Sequence, residues 1–339
     1  MKAHYQNNWK PEEYDRADDM SASRVLVTGA SGFVGRALVA KLLASEKFSP
    51  VGAGRSLSPD PASGERIHYE LGLEVPSETL RGIDTIVHAA ARVHDMKASG
   101  TDDLEQYRQA NSHAALKLAE SAARAGVRRF IFISSIKVNG EETRLDRPFT
   151  ALDAPAPADA YGISKWEAEC GLRELAQRTG LEVVIIRPPL VYGPGVKANF
   201  LRMVRWVHSG IPLPFGAINN RRSIVAMDNL VGLIIRCIDH PAAPGNTFLV
   251  SDGEDLSTTQ LLESVARSLA VRSVLIPVPE RLVIAGLGLM GKRALAKRLC
   301  GSLQVDISRT RDLLEWEPLV TSRQALDHVA VHYLGASQK

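Results

Sequence analysis

An α/β fold is what this 339-residue sequence predicts: a Rossmann-like parallel sheet with helices on both faces, plus a smaller C-terminal α/β substrate-binding region. Three observations predict it. Short apolar runs alternate with longer helical stretches through the first half of the chain, with no hairpin signal between them. A glycine-rich turn, Thr28-Gly29-Ala30-Ser31-Gly32-Phe33-Val34-Gly35, follows the first run and opens a helix. After Arg187 the alternation stops, where Pro188, Pro189, Pro194, Pro212 and Pro214 interrupt regular structure.

The organised chain begins at Ser23. Residues 24–28 (RVLVT) read as a buried parallel strand, and residues 33–45 as a helix with Val34, Leu38, Leu42 and Leu43 inward. Further strands are expected at 51–54, 67–69 and 85–89 (TIVHA). Residues 103–125 read as a helix stopped by Gly126, residues 129–134 (RFIFIS) as the fifth strand, residues 165–179 as a helix closed by Gly180, and residues 182–186 (EVVII) as the sixth strand. Short helices are expected around 200–208 and 229–238. The chain thus divides into an extension at 1–22, a dinucleotide-binding domain at 23–187, a mainly substrate-binding region at 188–334 partly interleaved with it, and a tail at 335–339.

Composition narrows the class. Hydrophobic residues at 45% and charged residues at 23% exclude a disordered chain, a collagen-like repeat and a coiled-coil rod. A net charge of +3 gives no reason to expect a nucleic-acid partner. Cys170, Cys237 and Cys300 form neither a disulfide framework nor a zinc spacing, so no metal is expected and free thiols in a reducing compartment are. The extension sets Lys2, Lys10 and Arg16 against Glu12, Glu13, Asp15, Asp18 and Asp19, and reads as loose chain that Tyr5, Trp9 and Tyr14 can pin to the surface. The start has no signal-peptide core, and the longest apolar run, LVIAGLGLM at 282–290, is too short to span a bilayer, so a cytoplasmic protein is expected. Residues 272–298 hold Arg272, Arg281, Lys292, Arg293, Lys297 and Arg298 against Glu280 alone, which suits a solvated helix face or weak contact with an anionic membrane surface.

The glycine turn points to a dinucleotide. Gly29 permits the tight turn, Gly32 lets the backbone approach a pyrophosphate, and Gly35 allows close packing of helix on strand. Ser31, Phe33 and Val34 complete that cofactor segment, and the absence of a following Gly-Lys-Ser or Gly-Lys-Thr excludes a Walker loop. The second strand ends Gly54-Arg55-Ser56, with no carboxylate for the adenosine ribose. Arg55 and Ser56 suit a 2′-phosphate, with Arg24 and Arg36 adding charge, so NADP(H) is expected in preference to NAD(H).

Tyr161-Gly162-Ile163-Ser164-Lys165 places a phenol and an ammonium four residues apart on one helix face. A neighbouring ammonium stabilises a phenolate, bringing the tyrosine closer to acid–base work at neutral pH. Ser134 and Ser135 lie beyond the carboxyl end of a strand, where parallel-sheet enzymes bind ligands; each can also serve simply to cap or turn the chain. Asn111, in an otherwise apolar helical stretch, is either a structural bridge or part of a proton path to Lys165.

The set Gly29-x-x-Gly32-x-x-Gly35, Asn111, Ser135, Tyr161-x-x-x-Lys165 and Arg187-Pro188 resembles the extended short-chain dehydrogenase/reductase family, in its NAD-dependent epimerase/dehydratase group, over residues 23–334. The resemblance implies Tyr161 as general acid/base, Lys165 as the group that lowers its pKa and binds the nicotinamide ribose, and Ser135 as the hydroxyl that orients the reacting carbonyl. On the cofactor side it adds Ala89, Ala90, Ala91, Asn111, Ser134 and Pro188; on the substrate side it adds Arg92 and Lys137. Arg221 matches the position that binds the nucleotide diphosphate and Asn199 falls in the segment contacting it; the guanidinium groups of Arg221 and Arg222 suit bidentate phosphate contacts, though two surface arginines would look the same in sequence. Asp228 matches a helix-capping position.

The segments His88-Ala89-Ala90-Ala91-Arg92-Val93-His94, Ser134-Ser135-Ile136-Lys137-Val138-Asn139-Gly140 and Asn220-Arg221-Arg222-Ser223 are similar to those of bacterial polysaccharide 4-ketoreductases. That likeness implies NADPH-dependent reduction of a UDP-4-keto-6-deoxy-N-acetylhexosamine to UDP-N-acetylquinovosamine or UDP-N-acetylfucosamine for O-antigen or capsule. It also implies a separate 4,6-dehydratase supplying the UDP-sugar, and a homodimer. Gly54-Arg55 and Gly72-Leu73 stand where members that hold NAD tightly carry acidic residues, and residues 134–137 lack the Asp-Glu pair of a dehydratase. The alternatives are an NAD-dependent UDP-N-acetylglucosamine 4-epimerase and a non-catalytic dinucleotide-binding regulatory protein.

Overall fold

The computed structural model describes residues 22–55, 65–92 and 102–337. The expected N-terminal extension, Ser56, Val93 and His94 lie outside the described residues, apart from residue 22 of the extension.

Seven strands form one parallel sheet: β1 (Ser23–Thr28), β2 (Phe48–Gly54), β3 (Glu65–His68), β4 (Thr85–His88), β5 (Arg129–Ile133), β6 (Glu182–Arg187) and β9 (Thr247–Leu249), in the order β3-β2-β1-β4-β5-β6-β9. Both faces are covered, which is why the central strands read as unbroken apolar runs. Alternate residues serve opposite layers. Val25, Val27 and Val87 pack with α1 (Phe33–Leu43) and α6 (Met227–Asp239), whereas Leu26, Ile86, Phe130 and Phe132 pack with α3 (Ala114–Arg124) and α4 (Ala160–Thr179).

The strand carrying the reversal of chain order is β1, which pairs with β2 on one side and β4 on the other. Ligands bind outside the carboxyl ends of strands at such a switch point, and that is where the glycine turn after Thr28 and the segment after His88 meet.

Two helices depart from the expected limits. α4 begins at Ala160 rather than 165, because Asp159 caps it: the carboxylate accepts from the Gly162 amide at 2.7 Å. The expected helix at 103–125 is a rod in three parts, α2 (Asp102–Tyr107), a π-helical turn (Arg108–His113) and α3. The extra residue of the π turn re-aims the rod's side chains at Asn111.

Downstream, β7 (Leu190–Tyr192), β8 (Arg222–Ala226) and β10 (Asp255–Leu256) make a small second sheet, β8 pairing parallel with β7 and antiparallel with β10. Around it stand α5 (Ala198–His208), α7 (Thr258–Ser268), α8 (Glu280–Leu289), α9 (Arg293–Cys300) and α11 (Ser322–Ser337), while α10 (Ser308–Leu314) lies against β9. α11 continues into what the sequence reads as a tail.

Asp228 does not cap α6. It sits in that helix's first turn with no capping bond, while buried Asp252 fixes the start of the helix by accepting from the Ala226 amide and the Asn229 side chain, each at 2.7 Å. Buried Arg129 ties the far end of α6 to the sheet by donating to the carbonyls of Cys237, Ile238 and His240 and to Glu182.

Candidate active site

The glycine turn is a cradle that side chains would fill. Gly29 has φ +68°, and a Cβ there would stand 2.9 Å from the Ala90 amide nitrogen. A Cβ on Gly35 would fall 2.2 Å from the Gly29 carbonyl, so only glycine lets α1 lie this close to β1. Gly32 is the N-cap of α1 and offers no side chain to its first amides, leaving them for an anionic ligand, with Ser31 exposed beside it. Phe33 and Val34 turn into the core as half-buried residues.

The opposite wall is the segment after β4. The Ala90 amide donates to Thr28 Oγ1 at 3.2 Å, bringing Ala89, Ala90 and Ala91 alongside Gly29. Asn111, fully buried, fixes the end of that segment: its Oδ1 accepts from the Arg92 amide at 2.8 Å, and its Nδ2 donates to the Arg92 carbonyl and to Ser164 Oγ, both at 3.1 Å. The structure therefore makes Asn111 a bridge between this segment and α4.

Tyr161 lies close enough to Ser135 for the two hydroxyls to influence each other. Burial pushes the Tyr161 phenol up to about 12, and the Ser135 hydroxyl opposes that rise. Lys165 lies one turn further along α4, buried, with Nζ donating to the Ile133 carbonyl at 2.9 Å and standing 4.5 Å from the centre of the Phe132 ring. Desolvation brings its ammonium down to about 7, against the pull of Glu169. His88, enclosed beneath it, is held down to about 3 by burial and by the Lys165 charge, so it stays neutral. Thr28 Oγ1 lies 3.0 Å from His88 Nδ1.

Ser134 behaves differently from Ser135. Its hydroxyl donates to Glu169 at 2.6 Å, and the same carboxylate receives two bonds from Arg187, whose third arm reaches Asn139. This fully buried group locks α4 to the ends of β5 and β6. The Pro188 carbonyl accepts from the Ile136 amide at 3.0 Å, anchoring the Ser135 loop from the other side.

The residues expected on the substrate side are scattered in their bonding. Lys137 is paired with Asp159 and, at 3.1 Å, with Glu141, so it joins the Ser135 loop to the cap of the Tyr161 helix. Arg221 is exposed and pairs with Asp146 at 2.6 Å; Arg222 donates to the Gly301 carbonyl at 2.9 Å. Asn199 accepts from Arg202 on the first turn of α5. The Arg92 guanidinium stands 5.8 Å from the Tyr107 ring.

Three residues of the site escaped sequence reasoning. Tyr107 is buried edge-on against Tyr161, with ring centroids 6.1 Å apart and a hydroxyl that has no partner among the described residues. Its spacing of four before Asn111 was the available signal. Asp159 could have been found as a capping residue just ahead of a helix, and Glu169 as the acid four residues after Lys165.

Residues 25–251 match the model of the NAD dependent epimerase/dehydratase family. The chain belongs to that family. It is an NAD(P)-dependent enzyme of nucleotide-sugar type. It is 43% identical to a UDP-glucose 4-epimerase of Vibrio cholerae over 324 residues, covering 93% of this chain and 97% of that protein. Among solved structures it resembles a UDP-glucuronic acid 4-epimerase of Bacillus cereus in complex with NAD, with a TM-score of 0.74 at 20% identity over 92% of this chain and 99% of the other. It also resembles the Bordetella bronchiseptica enzyme WbmG in complex with NAD, with a TM-score of 0.72 at 20% identity over 93% and 95%.

These likenesses correct two expectations. The NADPH-dependent 4-ketoreductase reading gives way, because the relative at 43% identity, covered to 97% of its length, is a 4-epimerase. The preference for NADP(H) gives way as well: both of the solved structures just named are complexes with NAD. The structure supplies a physical reason. Arg24, expected to add charge around a 2′-phosphate, is neutralised by Glu65 at 2.7 Å, and the Arg36 guanidinium lies 3.4 Å from where a Cβ on Gly195 would stand, among residues of the second half of the chain. Arg55 at the end of β2 remains without that supporting cluster.

Proposed function

We propose that the chain is a UDP-hexose 4-epimerase working with a retained NAD. The observation that carries this reading is the 43% identity to the Vibrio cholerae UDP-glucose 4-epimerase, which extends through both the glycine turn and the Tyr161 helix. The neighbouring Tyr161 and Ser135 above buried Lys165 support it chemically.

The cradle fits the cofactor: Gly29, Gly32 and the open amides of α1 would hold the pyrophosphate, with Ala89 to Ala91 as the facing wall. NAD, when bound, supplies a hydride acceptor and donor, and a positive ring charge that favours the Tyr161 phenolate. Tyr161 takes the proton of the sugar's C4 hydroxyl as C4 is oxidised, and returns it when C4 is reduced from the opposite face. Ser135 donates to O4 and keeps it within reach of the phenol. Buried Lys165, its ammonium brought down to about 7, supplies positive charge below both in its protonated form. The free thiols Cys170, Cys237 and Cys300 favour a cytoplasmic site for this reaction.

The test is direct. Protein incubated with UDP-glucose, and separately with UDP-N-acetylglucosamine, should invert C4 of at least one without added cofactor, as read by the proton couplings of the product sugar. Failure to invert C4 in either, with or without added NAD, would overturn the reading.

A further inference from the structure

The α8–α9 hairpin is built unlike the rest of the surface. Val283 is buried and Leu287 packs beside it against the C-terminal core, which fixes the inner face of α8. The outer face would ordinarily be polar. Here it carries Leu282, Ala285 and Leu289 at helical spacing, all exposed, and Met290 follows at the turn. Leu289 is 91% exposed, Leu282 62% and Met290 59%, values that leave large apolar side chains standing in water.

Charge surrounds that apolar ridge with one sign. Arg281, Lys292, Arg293, Lys297 and Arg298 are all exposed, and the two helices hold a single acidic residue, Glu280. Lys297 reaches Glu142 at 3.7 Å; among the described residues the structure pairs none of Arg281, Lys292, Arg293 and Arg298 with a carboxylate. A second copy of this chain meeting the hairpin through the same face would set these like charges against each other. An anionic surface with a hydrocarbon layer beneath it answers both features, accepting the apolar ridge and neutralising the rim.

We propose that the α8–α9 hairpin docks the protein on an anionic membrane surface. The hairpin lies in the interface and does not span it; no helix among the described residues is long and apolar enough to cross a membrane. Docking bears on the site through the end of α9. The Leu299 and Gly301 carbonyls accept from Asn220 Nδ2 at 3.2 and 2.8 Å, and Gly301 also accepts from Arg222, so the hairpin is bonded directly to the segment that leads into β8. Membrane contact therefore places that segment beside the lipid surface. The proposal stands independently of which sugar the enzyme takes.

Sedimentation with lipid vesicles tests it on the full chain. The protein should pellet with vesicles rich in phosphatidylglycerol and stay in solution with phosphatidylcholine alone. Leu289→Glu and the double variant Lys292→Glu/Arg293→Glu should each weaken pelleting by about tenfold or more, while C4 inversion of a soluble UDP-sugar is unchanged, which shows that the variants fold. Equal pelleting by the variants, or none by the wild type, would overturn the proposal. So would a wild-type oligomer that fails to bind vesicles and dissociates in Leu289→Glu, because the ridge would then belong to a second copy.

Discussion

Lys165 shows what the site demands of a single residue. It is 1% exposed, its ammonium brought down to about 7 from 10.5 by desolvation, and it has one carbonyl and one aromatic face for company. Below about pH 7 the folded protein carries the full penalty of a buried charge. As pH rises towards 10.5 the unfolded chain stays protonated while the folded one does not, so stability climbs across that window. Lys165→Met should therefore melt higher than the wild type at neutral pH, with the gap closing as pH approaches 10.5, and should lose at least about a hundredfold in activity. Differential scanning calorimetry across that range checks it; a gap that widens with pH would contradict the assignment. The grouping of Tyr161 with Lys165 was legible because residues four apart share one helix face. The partner of Ser134 was not, because Glu169 is 35 residues away and only the folded helix brings the two together.

At the scale of elements, the glycine turn works by letting backbone approach backbone. Gly35→Ala would drive a methyl to within 2.2 Å of the Gly29 carbonyl, forcing α1 away from β1 and distorting the turn proposed to hold the pyrophosphate. The expected outcome is a protein that still folds but retains about tenfold less NAD through purification, measured by nucleotide release and chromatography. The strand–turn–helix pattern at 23–43 revealed this unit in sequence, since each glycine serves a local constraint. The π turn at Asn111 was not visible, because an extra residue in a helix leaves hydrophobic periodicity nearly intact over so short a stretch. The early start of α4 was missed for a related reason: the apolar pattern begins late, and the cap is set by one carboxylate.

For the molecule as a whole, the first half of the chain was readable because each parallel strand buries both faces and so writes itself as an apolar run. β9 escaped because three residues carry little pattern. It completes the sheet through Arg187↔Leu249 pairing rather than through any signal of its own. The second half is held by long-range polar hubs such as Asp252, bonded to Ala226, Asn229, Tyr192 and Ser322, which join segments up to 70 residues apart. These contacts have no local signature. The cofactor and reaction readings failed for a different reason. The chain lacks the usual acid at the end of β2, and Arg55 suggested a 2′-phosphate, yet Arg24 is paired with Glu65 and Arg36 lies beside Gly195.

The proposed epimerase oxidises and reduces C4 on one resident cofactor, with Tyr161 moving the proton. The most direct measurement uses UDP-glucose deuterated at C4, the protein as purified, and no added nucleotide, with the product examined by mass spectrometry and NMR. Retention of deuterium at the inverted C4, abolished in Tyr161→Phe, is the result expected. Inversion with deuterium lost to solvent, or dependence of every turnover on fresh reduced cofactor, would contradict it.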